Sequence, residues 1–224
     1  MGKYRIILLL ITLVYGLVAV LQAQTRVFPE SKGSPATGKY YDFEKWSFSI
    51  GKDKYEITNK GRGKRISGKK RVTKFRISLA GAEILNRTIY FAEYKNDLLL
   101  ISELGFGDGG TSFIVCLNGK SLKTKWRAAI DGFNVGQGLI ENKFAYLTAI
   151  GFIGKIDLNT GKYVWKHEDL YRKYDESGAF NSFLTPEIKA DIVIFKEEGI
   201  LNKGFDHQIQ VNKSSGKIIK VLLN

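Results

Sequence analysis

The chain has 224 residues, a length that suits one or two domains, and it carries a formal net charge of +13. Its single cysteine, Cys116, excludes an intrachain disulfide framework and is expected to be a buried small hydrophobe. The two histidines, His167 and His207, lie in no recognisable signature, so neither a catalytic nucleophile with its base nor a metal site is predicted.

The N-terminal segment has the form of a secretory signal. Lys3 and Arg5 precede an apolar run, Ile6 to Leu21, which is shorter than the ~20 residues that comfortably span a bilayer. We predict a signal peptide over residues 1–23, with an uncleaved membrane anchor as the alternative. Residues 24–39 contain prolines and glycines and are predicted to form a flexible leader.

Three segments after the leader alternate apolar and polar residues, as half-buried β-strands do. They are Lys45 to Ile50, Lys54 to Thr58 and Arg71 to Leu79. We predict that residues 40–80 form a first β-sheet unit, although they lack the sequence signature of the units that follow.

The same region concentrates positive charge. Residues 52–76 contain eleven lysines and arginines against two acids, Asp53 and Glu56. Such a concentrated stripe can attract a polyanion through counterion release, and the alternative is a solvated basic hairpin that protects a sheet edge. The predicted binding residues are Lys60, Arg62, Lys64, Arg65, Lys69, Lys70 and Arg71. No aromatic residue lies between Lys60 and Lys74, which favours an anionic glycan or acidic protein over nucleic acid.

A repeat occupies the rest of the chain. Cys116 to Trp126 (CLNGKSLKTKW) and Lys155 to Trp165 (KIDLNTGKYVW) share one pattern, their tryptophans lie 39 residues apart, and Gln210 to Lys220 forms a third copy without the tryptophan. A strand-like run precedes each copy. The period falls in the range of about 20–50 residues typical of solenoids and propellers. Asp157 is expected to accept hydrogen bonds from turn amides, and Gly161 and Gly216 are expected to adopt positive φ.

The pattern apolar-Asp-x-x-Thr-Gly-Lys-x-x-Trp resembles the blade signature of the pyrroloquinoline-quinone-type (PQQ-like) β-propellers. Quinoprotein dehydrogenases and non-enzymatic scaffolds share that repeat. The resemblance covers roughly residues 88–222. It implies that Trp126 and Trp165 dock between adjacent blades.

These observations predict an all-β chain: a small β-propeller of about four blades, built from PQQ-like repeats. The predicted blades span approximately residues 40–80, 84–130, 133–168 and 182–222. Because propellers need at least four blades to close, the alternative is an incomplete or open array whose edges associate with another copy or a partner.

Two irregular segments are predicted to share one face of the propeller. The loop 105–110 (GFGDGG) lacks the ending of a phosphate-binding loop, and residues 167–187 lengthen the third repeat. Insertions in repeat proteins tend to emerge on a binding face. The predicted binding residues there are Tyr171, Arg172, Tyr174, Phe180 and Phe183.

The expected function is that of an exported, non-catalytic binding or scaffold module, periplasmic or secreted and without a cofactor. Its expected partner is a protein or an anionic envelope polysaccharide. One alternative is a quinoprotein-like oxidoreductase; the resemblance implies longer chains for such enzymes, commonly eight-bladed and often with a vicinal cysteine pair. The other is a partial propeller completed by self-association into a homo-oligomer.

Overall fold

The computed structural model describes residues 25–35, 43–68, 71–84, 88–106, 109–170, 182–198 and 207–223. The predicted signal peptide lies outside these residues. Within them, no helix is long and apolar enough to cross a membrane.

The described residues form β-strands joined by turns. In chain order the strands are β1 (Thr25–Val27), β2 (Glu30–Pro35), β3 (Phe43–Ile50), β4 (Asp53–Thr58), β5 (Arg62–Ser67), β6 (Arg71–Arg76), β7 (Glu83–Ile84), β8 (Thr88–Tyr94), β9 (Asp97–Phe106), β10 (Gly109–Leu117), β11 (Thr124–Ile130), β12 (Leu139–Glu141), β13 (Phe144–Ala149), β14 (Phe152–Asp157), β15 (Lys162–His167), β16 (Glu187–Lys189), β17 (Ile192–Lys196), β18 (His207–Asn212) and β19 (Ile218–Leu223).

Sixteen of the described strands form four antiparallel meanders of four strands each, which are the blades of the fold; β1, β2 and β7 lie outside these meanders. The first blade is β3–β6, the second β8–β11, the third β12–β15 and the fourth β16–β19. The predicted all-β fold is confirmed, and the sheets do not close into a ring. The chain is therefore an open propeller-like array.

The N-terminal strands join neighbouring blades. Strand β1 pairs with β12, and β2 pairs with β8 on one side and β3 on the other, so the first and second blades belong to one continuous sheet. Strands β1 and β2 lie within residues 24–39, which the sequence analysis predicted to be a flexible leader. The cause is Phe28, which is fully buried between the second and third blades and whose carbonyl accepts a 2.8 Å hydrogen bond from Gln137 Nε2.

Three hydrophobic clusters hold successive blades together. One lies between the first and second blades, the next between the second and third, and the last between the third and fourth. The first blade buries alternate residues, as half-buried strands do: in β3, Trp46 and Phe48 face the second blade while Lys45 and Ser47 are exposed. Inner strands such as β14 are buried on both faces. Within the part of the chain that the structure describes, no blade packs against the outward face of the first blade.

The two repeat tryptophans lie between adjacent blades. A Cβ atom at Gly161 would come within 2.5 Å of the Trp126 ring, and one at Gly216 within 2.5 Å of Trp165 Cγ. Both glycines have positive φ, +69° and +75°. Trp126 Nε1 donates to the carbonyl of Leu158 over 3.2 Å and Trp165 Nε1 to that of Lys213 over 3.2 Å. Each tryptophan therefore stacks on the glycine turn of the next blade and caps one of its carbonyls.

The side chain of the first residue in each of these turns accepts a hydrogen bond from a backbone amide of the same turn. Asp157 Oδ1 accepts from the backbone N–H of Asn159 over 2.8 Å. In the last copy, Asn212 Oδ1 accepts from the amide of Ser215 over 2.9 Å. Both are Asx-type turns, in which a side-chain oxygen replaces a backbone acceptor.

Arginine replaces tryptophan where the first blade meets the second. The turn of the second blade begins at Asn118, and Leu122, with φ of 56°, stands at the position of the glycine. Arg65 of β5 donates to the Gly119 carbonyl, which corresponds in the repeat to those of Leu158 and Lys213, and to the Lys120 carbonyl over 3.2 Å. The same docking position is thus filled by a guanidinium at this junction.

A buried ionic network adds to the junction between the third and fourth blades. Glu141 and Lys155 are 4% and 5% exposed. Lys155 Nζ donates to the Lys213 carbonyl over 2.9 Å, and Lys213 Nζ lies 3.0 Å from Glu141 Oε1. Burial lowers the pKa of Lys155. Every charged group in this network has a partner, which is the condition under which buried charges are tolerated.

Candidate anion-binding face

The structure distributes the predicted basic stripe over two faces of the first blade. Arg62 and Lys64 point outward from β5, whereas Arg65 points inward to the second blade. Arg71 lies on the side of β6 opposite to Lys74, and Lys60 lies 4.0 Å from Glu83. Lys69 and Lys70 lie outside the described residues. A contiguous run in sequence is therefore not a contiguous patch, because alternate residues of a strand face opposite ways.

A different set of cations meets on the outward face of the first blade. We call this set the basic face; its members are Lys45 of β3, Lys54 of β4, Arg62 and Lys64 of β5, and Lys74 and Arg76 of β6. All are exposed except Lys64, which is partly exposed. Lys45 lies outside the sequence stripe, and the register of the sheet brings it to the others.

Cross-strand register places like charges directly opposite each other. Arg62 pairs with Arg76 and Lys64 with Lys74 in the β5–β6 ladder. Directly opposed side chains on one face have Cβ atoms about 4.5–5.5 Å apart, and like charges in that position are destabilising. The blade therefore maintains a positive field at some cost to its own stability.

One acid, Glu56, shares this outward face. Its Oε2 lies 2.7 Å from Lys45 Nζ and 3.0 Å from Lys64 Nζ. Hydrogen bonding to Lys45 and Lys64 lowers the pKa of this carboxyl. Among the residues that the structure describes, no carboxylate forms an ion pair with Arg62, Lys74, Arg76 or Lys54.

Two concave surfaces adjoin these cations. A groove of about 360 Å³ is lined by Lys45, Glu56, Thr58, Arg62, Gly63, Lys64 and Lys74. A second cavity of about 730 Å³ is lined by Lys60, Arg76 and residues 77–83. Both are concave surfaces bordered by positive side chains, a geometry that concentrates potential toward an anionic ligand.

Of the predicted binding residues of the insertion, only Phe183 lies within the described part of the chain. Tyr171, Arg172, Tyr174 and Phe180 lie outside the described residues. Phe183 is 3% exposed and packs edge-on against Phe195, with ring centroids 6.5 Å apart. Its side chain belongs to the core between the third and fourth blades and is not presented to a partner.

Cys116 is buried and His207 is partly buried. Cys116 is 1% exposed, and burial raises the pKa of its thiol to about 12, so it is not a nucleophile at neutral pH. His207 Nδ1 contacts the buried carboxylate of Glu197. Across the described ranges, no group of three or more His, Cys, Asp or Glu side chains could hold a metal ion.

Fold and face together define an open β-propeller with a cationic terminal blade. No protein-family model matches the sequence, and no curated protein matches it. Among solved structures, BamB from Moraxella catarrhalis superposes with a TM-score of 0.52 at 11% identity, covering 88% of this chain and 67% of BamB. This similarity is one of fold.

Quinohemoprotein alcohol dehydrogenase from Comamonas testosteroni superposes with a TM-score of 0.49 at 14% identity, covering 90% of this chain. A europium-containing methanol dehydrogenase gives 0.48 at 13% identity, covering 92%. The chain spans 36% and 44% of the lengths of these two enzymes.

Proposed function

We propose that this protein is an exported, non-catalytic propeller module of the PQQ-like repeat type that binds an anionic polymer of the cell envelope on its basic face. The observation that supports the proposal is the contrast between sheet faces. Those between blades are apolar, whereas the outward face of the first blade carries six cations and one acid. The alternative partner is an acidic protein surface.

The physical basis of binding is electrostatic. Several neighbouring cations neutralise a polyanion together and release its condensed counterions, so affinity rises with their number and falls with salt. Arg62, Lys74 and Arg76 form no ion pair with a described carboxylate, so an anionic ligand displaces none of their ionic partners.

The positions of β1 and β2 support binding over catalysis. These strands pair with β12, β8 and β3, the first strands of the third, second and first blades. In a propeller the first strand of each blade lines the axis, where the quinone of a quinoprotein would bind. Here main chain covers those edges.

The test is retention on immobilised heparin. A variant with Arg62→Gln, Lys74→Gln and Arg76→Gln should elute at much lower salt than the native protein, because it removes three cations of the face that pair with no described carboxylate. The control is Lys123→Gln, Lys162→Gln and Lys217→Gln, three exposed lysines at equivalent positions after the repeat turns, which changes net charge equally. Equal losses in the two variants would show that total charge governs retention, and the basic face would be a solvated surface.

Binding should also depend on the protonation of Glu56. Its folded-state pKa is lowered, so its ion pairs persist above that value and are lost as the pH falls through it. An adjacent polyanion favours the protonated form, so affinity for dextran sulfate should rise as the pH falls below about 4.3, the ordinary glutamate value.

Glu56→Gln should remove this pH dependence. It should also raise the affinity at neutral pH about fivefold, the effect of about 1 kcal/mol from one neighbouring charge. Titration calorimetry of both proteins over the pH range measures this. A native protein whose affinity is independent of pH would show that the ligand does not contact the surroundings of Glu56.

A further inference from the structure

Four members of the basic face form a compact arrangement that we call the charge square: Arg62, Lys64, Lys74 and Arg76. Arg62 and Arg76 are directly opposed across the β5–β6 ladder, as are Lys64 and Lys74. The two pairs are two residues apart along each strand, a distance of about 7 Å. Within each pair the two Cβ atoms are about 5 Å apart. These dimensions allow four long side chains to reach one small anion above the sheet.

We propose that the charge square is a site for a tetrahedral oxyanion, a phosphate or sulfate ester carried by a polysaccharide chain. This inference rests on the proposed function and names its ligand class. Arg62, Lys64 and Lys74 line one groove, and Arg76, which lines the second cavity, is directly opposed to Arg62. Of the four, only Lys64 forms an ion pair with a described carboxylate, that of Glu56.

The donor set fits a tetrahedral oxyanion better than a carboxylate. A phosphate or sulfate ester has three terminal oxygens, which can accept from donors on several sides, whereas a carboxylate has two and is satisfied by one bidentate arginine. If two arginines face each other across the ladder, a carboxylate can accept the paired hydrogen bonds of only one of them, and the other guanidinium is left without an acceptor. Both can be satisfied on a phosphate or sulfate.

The surrounding residues favour a polysaccharide as the carrier. Ser47 and Ser49 of β3 are exposed on the same outward face, and Thr58 lines the groove beside Arg62. Hydroxyl groups both donate to and accept from sugar hydroxyls. Nucleic acid would be expected to stack its bases on aromatic residues, and the outward positions of β3–β6 between Lys45 and Arg76 carry none.

The repulsion within the charge square also points to a ligand. Opposed like charges weaken the ladder in the free protein, and an anion between them removes that repulsion. A surface that served only for solubility could carry the same net charge without placing like charges directly opposite each other. Here they are directly opposed in two successive pairs.

The experiment compares three polymers that share a backbone: dextran sulfate, dextran phosphate and carboxymethyl dextran at matched degrees of substitution. Titration calorimetry with the purified protein should show each ester binding about tenfold more tightly than the carboxylate polymer. Stronger binding of the sulfate or of the phosphate identifies which ester the site prefers.

The variants locate this preference. Arg62→Gln with Lys74→Gln and Arg76→Gln should bind all three dextrans equally weakly, with thermal stability equal to or above that of the native protein. Lys123→Gln with Lys162→Gln and Lys217→Gln should keep the preference for esters. If carboxymethyl dextran binds the native protein as tightly as the esters, the oxyanion site is overturned and the basic face stands as a general polyanion surface. If no dextran binds, the proposed function fails as well.

Discussion

Replacing Trp165 with alanine is expected to lower the free energy of unfolding by about 3–5 kcal/mol, the cost typical of removing a large buried aromatic side chain. The indole is 8% exposed and lies against Gly216 of the next blade. Its Nε1 also caps the Lys213 carbonyl. The substitution removes apolar contact from both blades and a hydrogen-bond donor from one of them. Urea denaturation followed by circular dichroism measures the loss.

Val164→Ala on the same strand is the matched control, because Val164 is 46% exposed. It should change stability by about 0.5 kcal/mol or less. A Trp165→Ala loss no larger than that of the control would mean that the tryptophan does not dock the third blade to the fourth.

Replacing Phe28 with alanine should have an effect of similar size, about 3–5 kcal/mol. Phe28 is fully buried among residues of the second and third blades, and it holds β1 and β2 in place between them. The substitution should also speed hydrogen exchange at the amides of β2, because the strand loses its anchor.

The control for this prediction is Val27→Ala, since Val27 is 44% exposed beside the buried ring. If residues 25–35 were a flexible leader, both substitutions would be neutral and the amides of β2 would exchange rapidly in the native protein. Slow native exchange with a large loss only for Phe28→Ala is the expected pattern.

The sequence predicted the repeat architecture because local chemistry specifies it. The turns beginning at Asp157 and Asn212 need a short acceptor side chain and a residue that tolerates positive φ, and these requirements recur at fixed spacing. The same spacing placed Trp126 and Trp165 where an indole meets the next glycine turn. Such signals lie within one blade and its neighbour, so they can be read from sequence alone.

The composition of the basic face could be predicted only in part. The sequence of β5 and β6 alternates in the manner of a strand, with every second residue on the same face. Applied strictly, this two-residue period places Arg65 on the face opposite to Arg62 and Lys64. The meeting of Lys45 with Arg62 depends on the register of three strands, which no local pattern specifies. Register is fixed by the buried face of the sheet, where Trp46, Ile57 and Phe75 pack.

Two further features depend on contacts distant in sequence. Arg65 docks on a turn that begins at Asn118, and Phe28 is held by Gln137. The repeat pattern identifies neither Arg65 nor Phe28, because the first blade lacks the tryptophan and the N-terminal strands precede all of the blades. Such contacts replace missing elements of the repeat and become visible only when the blades are assembled.

An open array needs a polar end, and the first blade provides one. Terminal units of repeat proteins carry polar outer faces because no neighbour covers them. Solubility alone requires only polar residues, and a mixture of signs would satisfy it. The excess of cations over the single Glu56, with two like-charged pairs directly opposed, is the feature that we attribute to ligand binding.

We propose that an anionic polymer binds the outward face of the first blade, and lysine footprinting locates that contact. The protein is acetylated with and without dextran sulfate, and modification at each lysine is quantified by mass spectrometry. Lys45, Lys54, Lys64 and Lys74 should be protected by the polymer, whereas Lys123, Lys162 and Lys217, the exposed lysines after the repeat turns, should react equally in both samples. Uniform protection of all seven lysines, or protection confined to the second group, would contradict the claim.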